Sequence, residues 1–246
     1  MTPLFFGILG LTIFGWLGVI LIPFFQFGQQ EVFIDPDTDL SLPPAPTGEA
    51  IAGEDVYLAQ GCVYCHSQQV RDLHQGSDLL RGWGGRRSVA RDYMFKSSAT
   101  LGYMRLGPDL SNIGSAQRII KKMKLYELER FADKDWKWET AEERIKNSAA
   151  LREEYSDQEW KIVENEYEKY LLQRLYAPRG LHEWSLMPSY KSLFKEIPVV
   201  GMPSVHAVET DQVKAGFQAV PGPEAEALIA YLMSLDQGYA LPEASP

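Results

Sequence analysis

The sequence predicts a mainly α-helical protein: a single N-terminal transmembrane helix, then one water-facing domain with a charged helical insertion. Three observations predict it. Residues Leu4 to Phe25, LFFGILGLTIFGWLGVILIPFF, hold no ionisable side chain, and such a run is long enough to cross about 30 Å of hydrocarbon as a helix. Near the other end, Pro223 opens a helix with Glu224 and Glu226 in its first turn, and Ala225, Leu228, Ile229 and Leu232 recur at i, i+3, i+4 and i+7. From Arg118 to Lys169, 14 acidic and 12 basic residues fill half of 52 positions, against 23% charged residues in the whole chain. That density reads as solvated helix.

The anchor is a membrane helix rather than a cleavable signal peptide, because it lacks a basic leading region, the apolar run is too long and no small-x-small site follows. Gly7, Gly10, Gly15 and Gly18 give it a weak small-residue strip. No lysine or arginine flanks it closely, so its orientation is not readable from charge. The expected organisation is an anchor over 1–28, a tether over 29–50, one domain over 51–240 with an insertion at about 115–172, and a tail over 241–246. The tether, Asp35 to Ala50, is rich in proline and acid and reads as extended chain. A short helix is expected from Gly53 to Gly61. Within the charged segment, Tyr126, Phe131, Trp136, Trp138, Trp160, Ile162 and Tyr167 supply some apolar surface, with exposed helix the favoured reading.

A formal net charge of -9 and a pI near 5.0 exclude nucleic-acid binding, since nothing here neutralises a phosphate backbone. A basic protein partner suits this surface better. The two cysteines, Cys62 and Cys65, are too few for a disulfide framework, so the pair needs a local explanation.

Cys62-Val63-Tyr64-Cys65-His66 supplies one, because it is the haem-attachment pattern. Two thiols at this spacing match the two vinyl groups on one porphyrin edge and form thioethers with them. The next residue, His66, then lies beneath the ring as proximal iron ligand. A redox dithiol would need a strand-then-helix setting, absent here. Structural zinc needs four ligands, and only His74, His182 and His206 remain as further histidines. For the sixth iron ligand Met187 is the best candidate, in Ser185-Leu186-Met187-Pro188-Ser189-Tyr190, where Pro188 stiffens the loop. Met202, also followed by proline, and His182 are its competitors; Met94 and Met104 read as packing residues. In Gly107-Pro108-Asp109-Leu110 the Pro108 carbonyl is placed to accept the second ring N–H of His66. Arg71, Arg86, Arg87 and Arg105 are candidates to pair with haem propionates, with Trp83 and Tyr103 as hydrogen-bond donors.

These residues resemble a known family, the mono-haem cytochrome c subunit (subunit II, FixO/CcoO-like) of cbb3-type haem-copper oxidases. The resemblance covers the anchor, Gly61 to Arg71 with its Cys-His-Ser-Gln-x-x-Arg run, Ser88-Val89-Ala90, Arg105 with Gly107-Pro108-Asp109-Leu110, and Met187-Pro188-Ser189-Tyr190. It implies a class I cytochrome c-like haem domain, one covalent haem c, and His66 and Met187 as axial ligands. It also implies a periplasmic domain on the bacterial inner membrane, with the N-terminus cytoplasmic. The implied partners are a haem-copper catalytic subunit, other membrane subunits, and a cytochrome c donor or second cytochrome subunit. Oxygen chemistry would belong to the catalytic subunit, not to this chain. A nitric-oxide-reductase-like complex and a free-standing tethered carrier are the alternatives. Two departures stand out: 121 positions separate His66 from Met187, which the charged segment explains as an insertion, and Leu101 to Arg105 differs from the family pattern.

Overall fold

The computed structural model describes residues 2–96, 99–131 and 155–244. The chain divides into two compact units, Met1–Ala45 with Val89–Ser98, and Pro46–Ser88 with Ala99–Pro246.

The first unit is built on α1, Thr2–Phe27, a continuous helix with one wider π turn at Leu17–Leu21. It is long and apolar enough to cross a membrane, and none of it is buried against protein. Its exposed Leu, Ile and Phe side chains therefore suit hydrocarbon rather than water. The stretch beyond it is not simply extended, as its proline and acid content suggests, but closes a small hairpin. Strand β1, Phe33–Ile34, pairs antiparallel with β2, Ser41–Leu42. The Asp35 carboxylate organises the turn by accepting from the Asp37 amide at 3.1 Å and the Thr38 hydroxyl at 2.7 Å, while Asp39 takes a positive φ of 57°. Local aspartate chemistry thus supplies the turn that composition alone obscured.

The second unit holds the other described α-helices. Helix α2 spans Gly48–Ala59, starting five residues before Gly53 because Thr47 caps it, its hydroxyl accepting from the Ala50 amide at 3.2 Å. Helix α3 covers Ala116–Phe131 and α4 covers Asp157–Tyr176. A short turn of helix follows at Pro178–Leu181 (α5), then strands β3, Phe194–Pro198, and β4, Phe217–Pro221, which pair antiparallel from Phe194↔Pro221 to Pro198↔Phe217. Helix α6, Pro223–Ser234, closes the unit with the expected proline start and with Ala225, Leu228, Ile229 and Leu232 buried.

The main packing contact joins α2 to α6. Gly53 makes it possible, because a Cβ at this position would overlap the backbone carbonyl of Ala227. Tyr57 and Tyr231 pack ring on ring beside it, 5.4 Å between centroids. The Tyr231 hydroxyl donates to Gln68 Oε1 at 3.1 Å, and so does the Thr100 hydroxyl at 2.7 Å.

The charged segment is not wholly a solvated surface. Its described ends, α3 and α4, pack on each other and on the core, burying Ile119, Ile120, Tyr167, Tyr170 and Leu171. Tyr167, Tyr170, Leu171 and Leu175 follow helical spacing, a stripe hidden in the sequence by the charges between them. Ser156 and Glu159 form a capping box at the start of α4. Ile162 is exposed and Trp160 half-buried, as a partly solvated helix requires. Trp136 and Trp138, and the side chains of Tyr126 and Phe131, lie outside the described residues.

The α2–α6 crossing yields a direct test. Gly53→Ala forces the two helices apart and should lower unfolding free energy by about 2 kcal/mol, measured by denaturant titration of the intact chain.

Candidate functional site

The site is assembled where α2 ends. Gly61 adopts φ 72°, a left-handed conformation that glycine takes without strain, and turns the chain into a 3₁₀ turn at Cys62–Tyr64. The His66 amide then donates to the Cys62 carbonyl at 3.0 Å, so the cysteine pair and the histidine share one tight turn. A second stretch, residues 103–110, runs alongside and is bonded to it. Its amides of Tyr103, Gly107 and Leu110 donate to the carbonyls of Val63, Cys65 and Ser67 at 3.1, 2.9 and 2.8 Å.

Asp109 fixes that pairing. Its fully buried carboxylate accepts from the Ser67 hydroxyl at 2.6 Å, the Gln69 amide at 2.7 Å and the Ser111 amide at 2.9 Å. The chain beside it lies flat against the imidazole, since a Cβ on Gly107 would overlap the His66 ring. His66 Nδ1 then donates to the Pro108 carbonyl at 2.8 Å. Holding the proton on Nδ1 leaves the Nε2 lone pair available to a metal. Burial pushes the His66 pKa below its ordinary value; the Pro108 carbonyl opposes this, and the charges of Arg174 and Arg118 add to it. The neutral, ligating form is therefore favoured.

His66 lines a cavity of about 290 Å³. Trp83, Pro108, Leu110 and Ile113 line it too, and so does Met187. Tyr167, Tyr170, Leu171 and Leu175 from α4 and Leu232 from α6 complete the apolar surface. Five cations also line it, Arg81, Arg118, Lys121, Lys122 and Arg174, with no carboxylate side chain among the described lining residues. The Met187 loop is tied to the cysteine turn as well, because the Tyr190 hydroxyl hydrogen-bonds the Cys62 sulfur and its amide donates to the Leu175 carbonyl at 2.8 Å. Burial pushes the Cys62 thiol up to about 11.

The family model for the cytochrome c oxidase mono-haem subunit, FixO, matches residues 45–170, which is 126 of the 246 residues. The chain belongs to this family. No curated protein matches it. The match covers the cysteine turn, the Gly107-Pro108-Asp109-Leu110 stretch and most of the charged segment, and stops short of Met187. A mono-haem subunit carries one haem, and the cavity suits it: a slot bounded by an imidazole and a thioether, with cationic groups for a ring that carries two carboxylates. The buried Arg174 Nη1 has no hydrogen-bond partner, as expected where an anionic ligand belongs.

In this mono-haem subunit the other candidate residues occupy distinct places. Met202 is 88% exposed, and neither it nor His182, which stacks on the exposed Trp184, lines the cavity. Arg71 and Arg105 are not among the residues lining the cavity, and both bind Asp78, which is fully buried. Arg71 holds its two carboxylate oxygens at 3.1 Å each, and Arg105 adds a 2.5 Å bond and another of 2.6 Å to the Gln69 carbonyl. Arg86 donates to the Tyr239 carbonyl at 2.8 Å and Arg87 to that of Glu243 at 3.0 Å, so both bind the C-terminal chain. Tyr103 stacks on Tyr64 and is exposed. Among the described residues no group of three or more His, Cys, Asp or Glu is placed to hold a metal ion, so His74, His182 and His206 do not gather with the cysteines as a zinc site would require. Arg118 and Arg174 line the cavity without standing out as site residues in the sequence. The stripe Tyr167, Tyr170, Leu171, Arg174, Leu175 was the signal, since an arginine on an otherwise apolar face needs a buried anion.

Asp78 offers a test of the frame around the site. Desolvation pushes its carboxyl upward, but the hydrogen bonds from Arg71 and Arg105 outweigh it and hold the pKa below the ordinary value. A depressed carboxylate contributes stability above its unfolded pKa of about 4, and that contribution is lost as pH falls through the lower folded value. Asp78→Asn should cost about 2 kcal/mol, less than a fully buried pair because both arginines reach water. Its unfolding midpoint should also lose part of the acid dependence seen in the parent, measured by thermal melts between pH 3 and 7.

Proposed function

We propose that this chain relays single electrons from a cytochrome c donor to the haem-copper subunit of a cbb3-type oxidase. Its haem would be bound covalently through Cys62 and Cys65, with iron between His66 and Met187. The observation that carries this reading is that His66, in its family motif, and Met187, 121 positions away, line one cavity. The haem, when bound, supplies a ferric/ferrous couple and breaks no substrate bond. The protein does the rest. Pro108 orients the imidazole and makes it more electron-donating, Met187 offers a soft sulfur that favours the reduced state, and the leucine and tyrosine wall excludes water. Helix α1 anchors the chain in the membrane, with the N-terminus cytoplasmic and the haem domain periplasmic.

The chain expressed in a host that matures c-type cytochromes should retain its colour after denaturation and give a pyridine haemochrome spectrum of the two-thioether type. Copurification with b-type haem and copper is expected alongside, as is cleavage of the domain by protease added to spheroplasts. A colourless denatured chain sinks the reading. In Met187→Ala the weak ferric near-infrared charge-transfer band should vanish and the midpoint potential should fall by about 0.2 V, a fraction of the roughly 0.8 V that axial ligands span. An unchanged band would rule Met187 out as the ligand.

A further inference from the structure

We infer that Arg118 and Arg174, one from each of the two helices that flank residues 132–154, are the paired anchor for the haem propionates. The inference rests on the haem reading above and assigns a job to side chains that the axial ligands do not explain. Both arginines line the cavity that His66 and Met187 share. Arg118 lies in the first turn of α3, where its Nη1 donates to the Asp109 carbonyl at 2.5 Å. One end of the guanidinium is thereby locked to the stretch that orients His66. Arg174 lies in the last turn of α4, and its Nη1 is sealed from water with no acceptor.

A buried guanidinium nitrogen without a partner, as at Arg174, is costly, and a second arginine lining the same cavity adds like-charge repulsion. Among the described lining residues no carboxylate relieves this. The Asp109 carboxylate is close enough to influence Arg118, but it is already shared among Ser67, Gln69 and Ser111. A ligand with two carboxylates supplies the missing charge, and the planar fork of arginine is the side-chain geometry that binds carboxylate through two parallel bonds. The arginines on Asp78 are different in kind, because their acid is present in the chain. Charge near the ring also sets potential: a cation beside the iron favours the ferrous state, so removing it stabilises the ferric state.

The test uses the full-length, haem-loaded chain with five variants. In Arg118→Gln and Arg174→Gln, haem content and the Met187 charge-transfer band should persist while the midpoint potential falls. Arg174→Lys, which keeps the charge, should recover most of that shift. Arg71→Gln and Arg105→Gln should leave the potential near the parent value and lower the melting temperature instead. If haem is present and neither cavity arginine moves the potential, or if Arg174→Lys falls as far as Arg174→Gln, the anchor assignment is overturned. If the parent chain binds no haem, the underlying reading fails with it, and the haemochrome spectrum tells the two failures apart.

Discussion

The site depends on one contact, the face of the His66 ring against the backbone at Gly107 and Pro108. A side chain at 107 would occupy the imidazole's place, and without the Pro108 carbonyl the ring would be free to turn. The backbone pairing between residues 63–67 and 103–110 supports that contact, and Asp109 locks the pairing from within. Proline at 108 has no amide to satisfy, so its peptide unit brings only an acceptor to the site. The short segment therefore combines close approach, ring orientation and a buried carboxylate staple in three consecutive residues.

Two acids hold the surrounding loops. Asp109 joins the cysteine turn to the stretch beside it, and Asp78 gathers Arg71 and Arg105 from separate loops. Each is fully buried, and each has several charge-assisted or amide partners, the condition under which a carboxylate is tolerated inside a protein. These loops contain little regular structure, so side-chain polar bonds do the ordering that helix and strand ladders do elsewhere. The glycine contact between α2 and α6 then sets the frame on which the loops hang.

The sequence made some of this plain. The anchor and α6 were readable because each carries a single strong pattern, an uncharged apolar run in one and a proline-started amphipathic stripe in the other. The Cys62 to His66 turn was readable because its chemistry is local, and the Pro108 carbonyl because a proline turn constrains where its acceptor goes. The charge pairing was not. Arg71 and Arg105 stand near the motif in sequence, and nothing in the spacing signals that both pair with Asp78. Arg118 and Arg174 are 56 positions apart in a segment dominated by solvated charge, and only the packing of α3 on α4 brings both to the cavity. Pairing between distant charged residues depends on tertiary packing, which periodicity does not encode.

Because α3 and α4 pack on each other and both line the cavity, residues 132–154 are a sequence excursion between two helices whose mutual placement that packing already sets. The entropy of closing such an excursion grows only with the logarithm of its length. Relatives could lengthen, shorten or rewrite that excursion at little thermodynamic cost while the prosthetic group's environment stays fixed. Change in the length of that connection is thus separable from the residues that line the cavity.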